Sequence, residues 1–201
     1  RVFVAKAVRE AFTQKVVDRA RAAKVGFDKH ADITTGPVID GRAWTRLKGL
    51  VDDAVAGGAT LLAGGERPTG MNAGHFLAPT VLAGVTETMA VYREETFGPI
   101  VSIVPFDDNT DLLRMANDCE EGGLTAYVFT RDLARAEHFS AHLRYGEIQI
   151  NGVKYDIDLP HGGIGQSGVG HDCSALALHD YLVQKRITRA LDTTTFGGLN
   201  P

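Results

Sequence analysis

Cysteine is scarce. Cys119 and Cys173 are the two in 201 residues, so at most one disulfide could form and a disulfide-stapled secreted scaffold is excluded. Basic runs are missing too: no stretch of Lys and Arg exceeds two residues, and 21 basic against 25 acidic side chains give a net charge of −4. That balance argues against partners with a phosphate backbone or an anionic lipid surface. No stretch approaches the ~20 apolar residues of a membrane span. Neither a nucleic-acid nor a membrane partner is therefore expected. The hydrophobic share of 44% and charged share of 23% are those of a globular protein, which excludes a disordered chain. Glycine is in excess, 23 of 201 residues or about 11%, against a usual ~7%. The length predicts one domain with room for a core that needs no metal or disulfide. The chain opens on Arg1 without a signal peptide, and reads as a piece of a longer, cytoplasmic polypeptide.

Periodicity predicts the elements. Val8, Phe12, Val16 and Ala20 recur every fourth residue and would line one face of a helix ending near Gly26. Asp40 is an N-cap type ahead of Trp44, Leu47, Val51, Ala54 and Val55, a second helical stripe that Gly57-Gly58 stops. Residues 60–63 read as a short buried strand. The β-branched run 100–106 reads as another. Asp107-Asp108-Asn109 offers caps for a helix carrying Leu112, Leu113 and Ala116, followed by a strand over 125–130. Asp132 opens a helix with Leu133, Ala136, Ser140 and Leu143 inward, and residues 147–151 form a further strand. Strands alternating with helices through short connections predict an α/β fold, a mainly parallel sheet with helices on both faces. Ligands in such sheets bind beyond the carboxyl ends of the strands. The loops 107–109, 130–132 and 151 onward are the ones to inspect.

Three constellations could carry chemistry. Residues 160–170 hold five glycines, among them a literal G-x-G-x-x-G at Gly163, Gly165 and Gly168. A dinucleotide fingerprint must join a strand directly to a helix; here the strand ends about ten residues earlier, so turns needing positive φ are the better reading. Glu94-Glu95-Thr96-Phe97-Gly98-Pro99 pairs acids with an aromatic residue. Carboxylates accept vicinal hydroxyls and a ring can cover a flat group, although a solvated acidic turn would look the same. Cys173 stands near His171 and His179 at the start of an expected helix. That arrangement admits a nucleophilic thiol or an incidental one, and its spacing matches no standard zinc pattern.

Together the motifs resemble a family. Residues 94–99, Ala116-Asn117 before Gly123-Leu124-Thr125-Ala126, Gly146-Glu147-Ile148-Gln149-Ile150-Asn151, and Pro160-x-Gly162-Gly163-x-x-x-Ser167-Gly168-x-Gly170 are similar, in order and spacing, to the C-terminal half of the NAD(P)-dependent aldehyde dehydrogenases. The resemblance runs from Arg1 to about Ile187. It implies a catalytic-domain portion over 1–187, truncated at its N-terminus, and a tail over 188–201 that would contribute to oligomerisation. It implies oxidation of an aldehyde to an acid through a cysteine thiohemiacetal and thioester, with NAD or NADP. The family's nucleophile, general base and pyrophosphate segment match nothing here; they would lie upstream, leaving the isolated chain inactive.

Residue by residue, the resemblance makes Glu95 the acid that holds the nicotinamide ribose and Phe97 the ring packed beside it. Residues 152–161 would form the aldehyde-pocket wall. His161 stands where the family commonly has phenylalanine, which implies a short or oxygen-bearing aldehyde. His171 and Asp172 replace the arginine and glutamate of the family's Gly-Arg-Glu segment. The expected partners are a small aldehyde and further copies of the full-length chain, as a dimer or tetramer. The alternatives are a non-catalytic binding or structural module of the same fold, and a small hydrolase using Cys173 with His171 or His179.

Overall fold

A computed structural model describes residues 1–28, 32–107, 111–119 and 122–189. Four strands make the first sheet: β1 (Val2–Ala5), β2 (Thr60–Ala63), β3 (Thr80–Ala83) and β4 (Ile100–Phe106), in the order β1-β4-β3-β2. β4 runs parallel to both β1 and β3, and β2 is antiparallel to β3. Around them lie α1 (Arg9–Ala22), α2 (Gly41–Ala56), α3 (Ala90–Arg93) and α4 (Leu112–Asn117). Then β5 (Thr125–Val128), α5 (Leu133–His142) and β6 (Glu147–Ile150) follow, with β5 and β6 paired in parallel.

The expected α/β fold with a mainly parallel sheet is the one observed, and strand alternation explains why helices cover both faces. Side chains two residues apart point the same way. Val4, Val81 and Ile103 therefore pack together against Val17 of α1. Their neighbours Leu82 and Val104 pack on the other side with Leu50, Val51 and Ala54 of α2, Val91 and Tyr92 of α3, and Met115 of α4. Both faces of β3 and β4 are buried, as befits strands flanked by helices.

Local capping sets the helix starts. Asp40 accepts a hydrogen bond from the Ala43 amide at 2.8 Å, and Asp132 caps α5 through the Arg135 amide at 3.1 Å. Gly57 ends α2 as expected. The cap of α4 is Asp111, bonded to the Arg114 amide at 3.0 Å, rather than Asp107; Asp108 and Asn109 lie outside the described residues, as does the tail over 193–201.

Other expectations are corrected. The chain begins with a strand, and α1 buries Val17, not the Val8–Phe12 end of the expected stripe, because only its C-terminal half lies over the sheet. Val55 is exposed on α2, where Leu50 is buried instead. β2 is a half-exposed edge strand, bulged between Leu61 and Ala63, and not a buried one. On α5 only Ala136 is buried, while Leu133 and Ser140 face outward. The strands expected to continue one sheet divide instead: β4 belongs to the first sheet, and β5 and β6 form their own. β1 and β3 have no counterpart among the expected strands.

Arg1 joins the two sheets. Its guanidinium donates to the carbonyls of Met115, Ala116 and Asp118 at 3.2, 3.1 and 2.9 Å and to the Tyr145 hydroxyl at 3.2 Å. The rings of Phe3 and Tyr92 lie 5.6 and 4.9 Å from it.

Leu82, wholly buried at the middle of the larger cluster, supplies a test of this core. Leu82→Ala is expected to lower unfolding free energy by ~2–5 kcal/mol in urea titrations, whereas Val55→Ala on the exposed side of α2 should cost well under ~1 kcal/mol.

Candidate functional site

The turn 94–99 is held at both ends. The Glu94 amide donates to the Ala90 carbonyl at 2.9 Å, closing α3, and the Thr80 amide takes the Pro99 carbonyl at 2.7 Å, tying the far end to β3. Between them Arg46, reaching from α2, donates to the carbonyls of Glu95 and Thr96 and lies 3.8 Å from the Glu94 carboxylate. Gly98 lies so close to Leu47 that a Cβ there would overlap the leucine side chain. Pinned in this way, Phe97 adopts φ 48° and leaves its ring 78% exposed. A left-handed backbone disfavours a residue with a Cβ and persists only where its surroundings over-determine it. The Glu95 carboxylate is exposed in the same turn. One carboxylate and one open aromatic face, two residues apart, could accept the hydroxyls of a diol and cover a flat ring beside it.

The glycine-rich stretch packs on the second sheet. The Gly123 carbonyl accepts from the amides of Gly146 and Ile164 at 2.9 and 3.0 Å, so three chain segments meet at one oxygen. A Cβ on Gly146 would overlap the Gly162 carbonyl oxygen. Gly165, Gly168 and Gly170 have φ of 62°, 123° and 91°, which only glycine adopts without strain. The one helical element inside the stretch is a three-residue 3₁₀ turn over Gly165–Ser167. No strand-to-helix junction exists there for a pyrophosphate, so the literal G-x-G-x-x-G is a packing motif.

His161 and Asp172 close the neck of that loop by exchanging backbone hydrogen bonds at 2.9 and 2.8 Å. His161 then lines a cleft of about 370 Å³ with Ser167, Asp172 and Asp180. Its Nδ1 lies 3.3 Å from the Glu147 carboxylate, within ion-pair reach but without the alignment of a hydrogen bond, and is buried. The Tyr155 ring meets the imidazole edge-on at 5.7 Å. A wider depression of about 550 Å³ opens at the carboxyl ends of β5 and β6, lined by Phe129, Thr130, Arg131, Leu133 and Asn151. Glu95 and Phe97 thus belong to the turn that enters the first sheet, and His161 to the loop hung on the second.

Cys173 hydrogen-bonds the Tyr155 hydroxyl at 2.7 Å and the Asp172 carboxylate at 3.2 Å. Neither of these partners is a cation of the kind that activates a nucleophilic thiol. The segment behind it is a 3₁₀ stretch over Ala175–Tyr181 and not the expected α-helix. Tyr155 is pushed up to about 12, chiefly by the Cys173 hydrogen bond, so its hydroxyl keeps its proton at any physiological pH. Among the described residues no three His, Cys, Asp or Glu side chains group as a metal would require.

The model of the aldehyde dehydrogenase family matches residues 1–187. The chain belongs to the aldehyde dehydrogenase family. It is 38% identical over 187 residues to a non-phosphorylating aspartate-semialdehyde dehydrogenase of Halomonas elongata, covering 92% of this chain and 37% of that relative. It superposes on a succinate-semialdehyde dehydrogenase from Burkholderia pseudomallei with a TM-score of 0.85 at 38% identity, over 91% of this chain and 38% of the other. A Mycobacterium tuberculosis aldehyde dehydrogenase complexed with NAD+ gives 0.83 at 31% identity, over 90% and 37%. The chain therefore spans a little over a third of such aldehyde dehydrogenases.

Sequence reasoning missed Arg46, Glu147 and Gln149. The last two stand two apart on a strand beside a long loop, a detectable signal; Arg46 reaches a turn about fifty residues away and has none.

Phe97 offers a test of whether its ring serves the fold. Phe97→Gly relieves the left-handed backbone and removes little burial, so thermal unfolding should be unchanged or raised by up to ~1 kcal/mol. A clear fall in stability would make the ring structural.

Proposed function

We propose that this chain is the C-terminal catalytic-domain portion of an NAD(P)-dependent aldehyde dehydrogenase that oxidises a polar aldehyde to its carboxylic acid. The observation that carries the reading is the turn 94–99. It presents the Glu95 carboxylate and the bare ring of Phe97 together, at a backbone strain that Arg46 and the hydrogen bonds to α3 and β3 at the two ends of the turn sustain. In this reading Glu95 accepts hydrogen bonds from both hydroxyls of the nicotinamide ribose, and Phe97 covers the ribose and the adjoining ring. A bound nicotinamide supplies the hydride acceptor. The cysteine nucleophile and the general base belong to the part of the enzyme outside this chain, and Cys119 and Cys173 take neither role. Residues 1–187 form the catalytic portion and 188–201 its tail, in a homo-oligomer of full-length chains.

Loop 152–161 forms the wall of the aldehyde pocket, and His161 hydrogen-bonds an oxygen substituent of the substrate. The position of His161 on the cleft supports this. So do the aspartate-, glutarate- and succinate-semialdehyde dehydrogenases among the similar proteins.

Two variants of the full-length enzyme test the reading separately. Glu95→Gln removes a charged acceptor and should raise the cofactor KM by roughly tenfold to a hundredfold, the equivalent of ~1.5–3 kcal/mol. An unchanged KM and kcat would make Glu95 a surface acid. His161→Phe should move relative efficiency from hydroxy- and carboxy-aldehydes toward alkyl aldehydes by ~1–3 kcal/mol. A parallel fall across an aldehyde panel would remove His161 from the pocket.

A further inference from the structure

Both ends of loop 152–161 hang on one face of β6. Glu147 and Gln149 are two residues apart on that strand and share the face. Gln149 Oε1 accepts the Lys154 amide at 2.6 Å, where the loop begins, and its Nε2 donates to Glu147 Oε1 at 2.7 Å. The other carboxylate oxygen, Oε2, takes the Thr125 hydroxyl of β5 at 3.1 Å and lies 3.3 Å from His161 Nδ1, where the loop ends. The carboxylate is thereby held from β5 and from β6 and cannot turn away from the imidazole.

The imidazole is confined in turn. Its backbone is paired with Asp172, and the Tyr155 ring stands against it at 68°. Tyr155 is itself tied to Cys173 through its hydroxyl, and the Ser174 amide donates to the Ile157 carbonyl at 2.7 Å. Segment 172–174 thus clamps the outer side of the loop while β6 clamps the inner. Within this frame Nδ1 is buried with no aligned partner. A buried ring nitrogen left so is costly, and the Glu147 carboxylate is the acceptor within ion-pair reach. Nδ1 is thus the ring nitrogen turned toward Glu147, and Nε2 is the ring's other nitrogen, free of that contact.

We propose that Glu147 is a positioning residue for His161: it turns Nδ1 toward β6 so that Nε2 meets the oxygen substituent of the aldehyde. This rests on the reading of loop 152–161 as the pocket wall. With Nδ1 so oriented, Nε2 accepts from a substrate hydroxyl, or donates to a substrate carboxylate when the ring holds its second proton.

The test compares Glu147→Gln, His161→Phe and the double variant in the full-length enzyme. Glycolaldehyde and succinic semialdehyde serve as oxygen-bearing probes, with propanal as the plain one. Glu147→Gln keeps the side-chain shape but removes the charge that orients the ring. KM for the oxygen-bearing probes should rise about tenfold while their kcat and both constants for propanal stay near wild type. The double variant should be no worse than His161→Phe alone, since the two act as a unit. If Glu147→Gln fails to fold, Glu147→Asp, which retains the charge but draws it back from Nδ1, should show a smaller shift of the same kind. Unchanged selectivity in Glu147→Gln while His161→Phe shifts it would overturn the positioning role and leave the pocket reading standing. A parallel loss for all three aldehydes with a lowered melting temperature would reduce Glu147 to a structural residue. Unchanged selectivity in His161→Phe would bring down the pocket reading and this proposal together.

Discussion

The Arg1 guanidinium is where the two sheets are joined. Its planar fork satisfies three carbonyls at the end of α4 and the hydroxyl of Tyr145, and it lies against the rings of Phe3 and Tyr92. A lysine could hold one such carbonyl but not the fan, because an ammonium is a point charge without a fixed plane. The end of α4 presents carbonyls that no further turn of helix can satisfy, and a partly buried cation there is favoured by the helix dipole as well. Tyr92 and Tyr145 reinforce the joint by donating to Met115 and Ala116 at 3.0 and 2.8 Å. Arg1 immediately precedes β1 and Tyr145 lies two residues before β6, so this contact links the starts of strands in the two sheets.

Asn117 and Asn151 act on the same principle at shorter range. Asn117 takes the Arg144 amide and the His142 carbonyl at 2.8 and 3.0 Å, fastening α4 to the end of α5. Asn151, at φ 53°, exchanges two 2.8 Å hydrogen bonds with the backbone of Thr130, extending the β5–β6 ladder with a side-chain amide. Both belong to motifs shared with the aldehyde dehydrogenases, yet here each serves architecture. Gly123 and Gly146 do likewise, since their missing Cβ atoms let the loop backbone lie directly on the strands. The groups proposed to bind cofactor and substrate, Glu95, Phe97 and His161, stand on that support.

How legible each part was follows from the range of the interaction behind it. Asp40 and Asp132 were readable as caps because a cap acts on an amide three residues away. β4 was readable to its ends because seven residues, three buried and four half-buried, leave a long, mostly apolar run. β1 and β3 were not among the expected strands. The stripe on α1 was readable as helical, but which half of it would be buried depends on how far the helix overhangs β1 and β3. Residues 94–99 were readable as a turn ahead of β4 from their Gly-Pro, while the strain at Phe97 was not. Nothing local in that hexapeptide announces that Arg46 will pin it.

By itself, then, the sequence determined the helix caps, the longest strand, the α/β class and the family, because each rests on neighbouring residues or on the spacing of motifs along the chain. It also determined that Glu95 and Phe97 share one turn and that His161 guards a glycine-rich loop. Only the tertiary structure decided that β5 and β6 stand apart from the first sheet, and that Arg1 bridges the two. It alone decided that Glu147 and Gln149 suspend the loop bearing His161 at both ends. Those contacts join residues from five to more than a hundred positions apart. Each forms when packing brings two unrelated segments within about 3 Å, the reach of a hydrogen bond, and such proximity has no periodicity for a sequence to show.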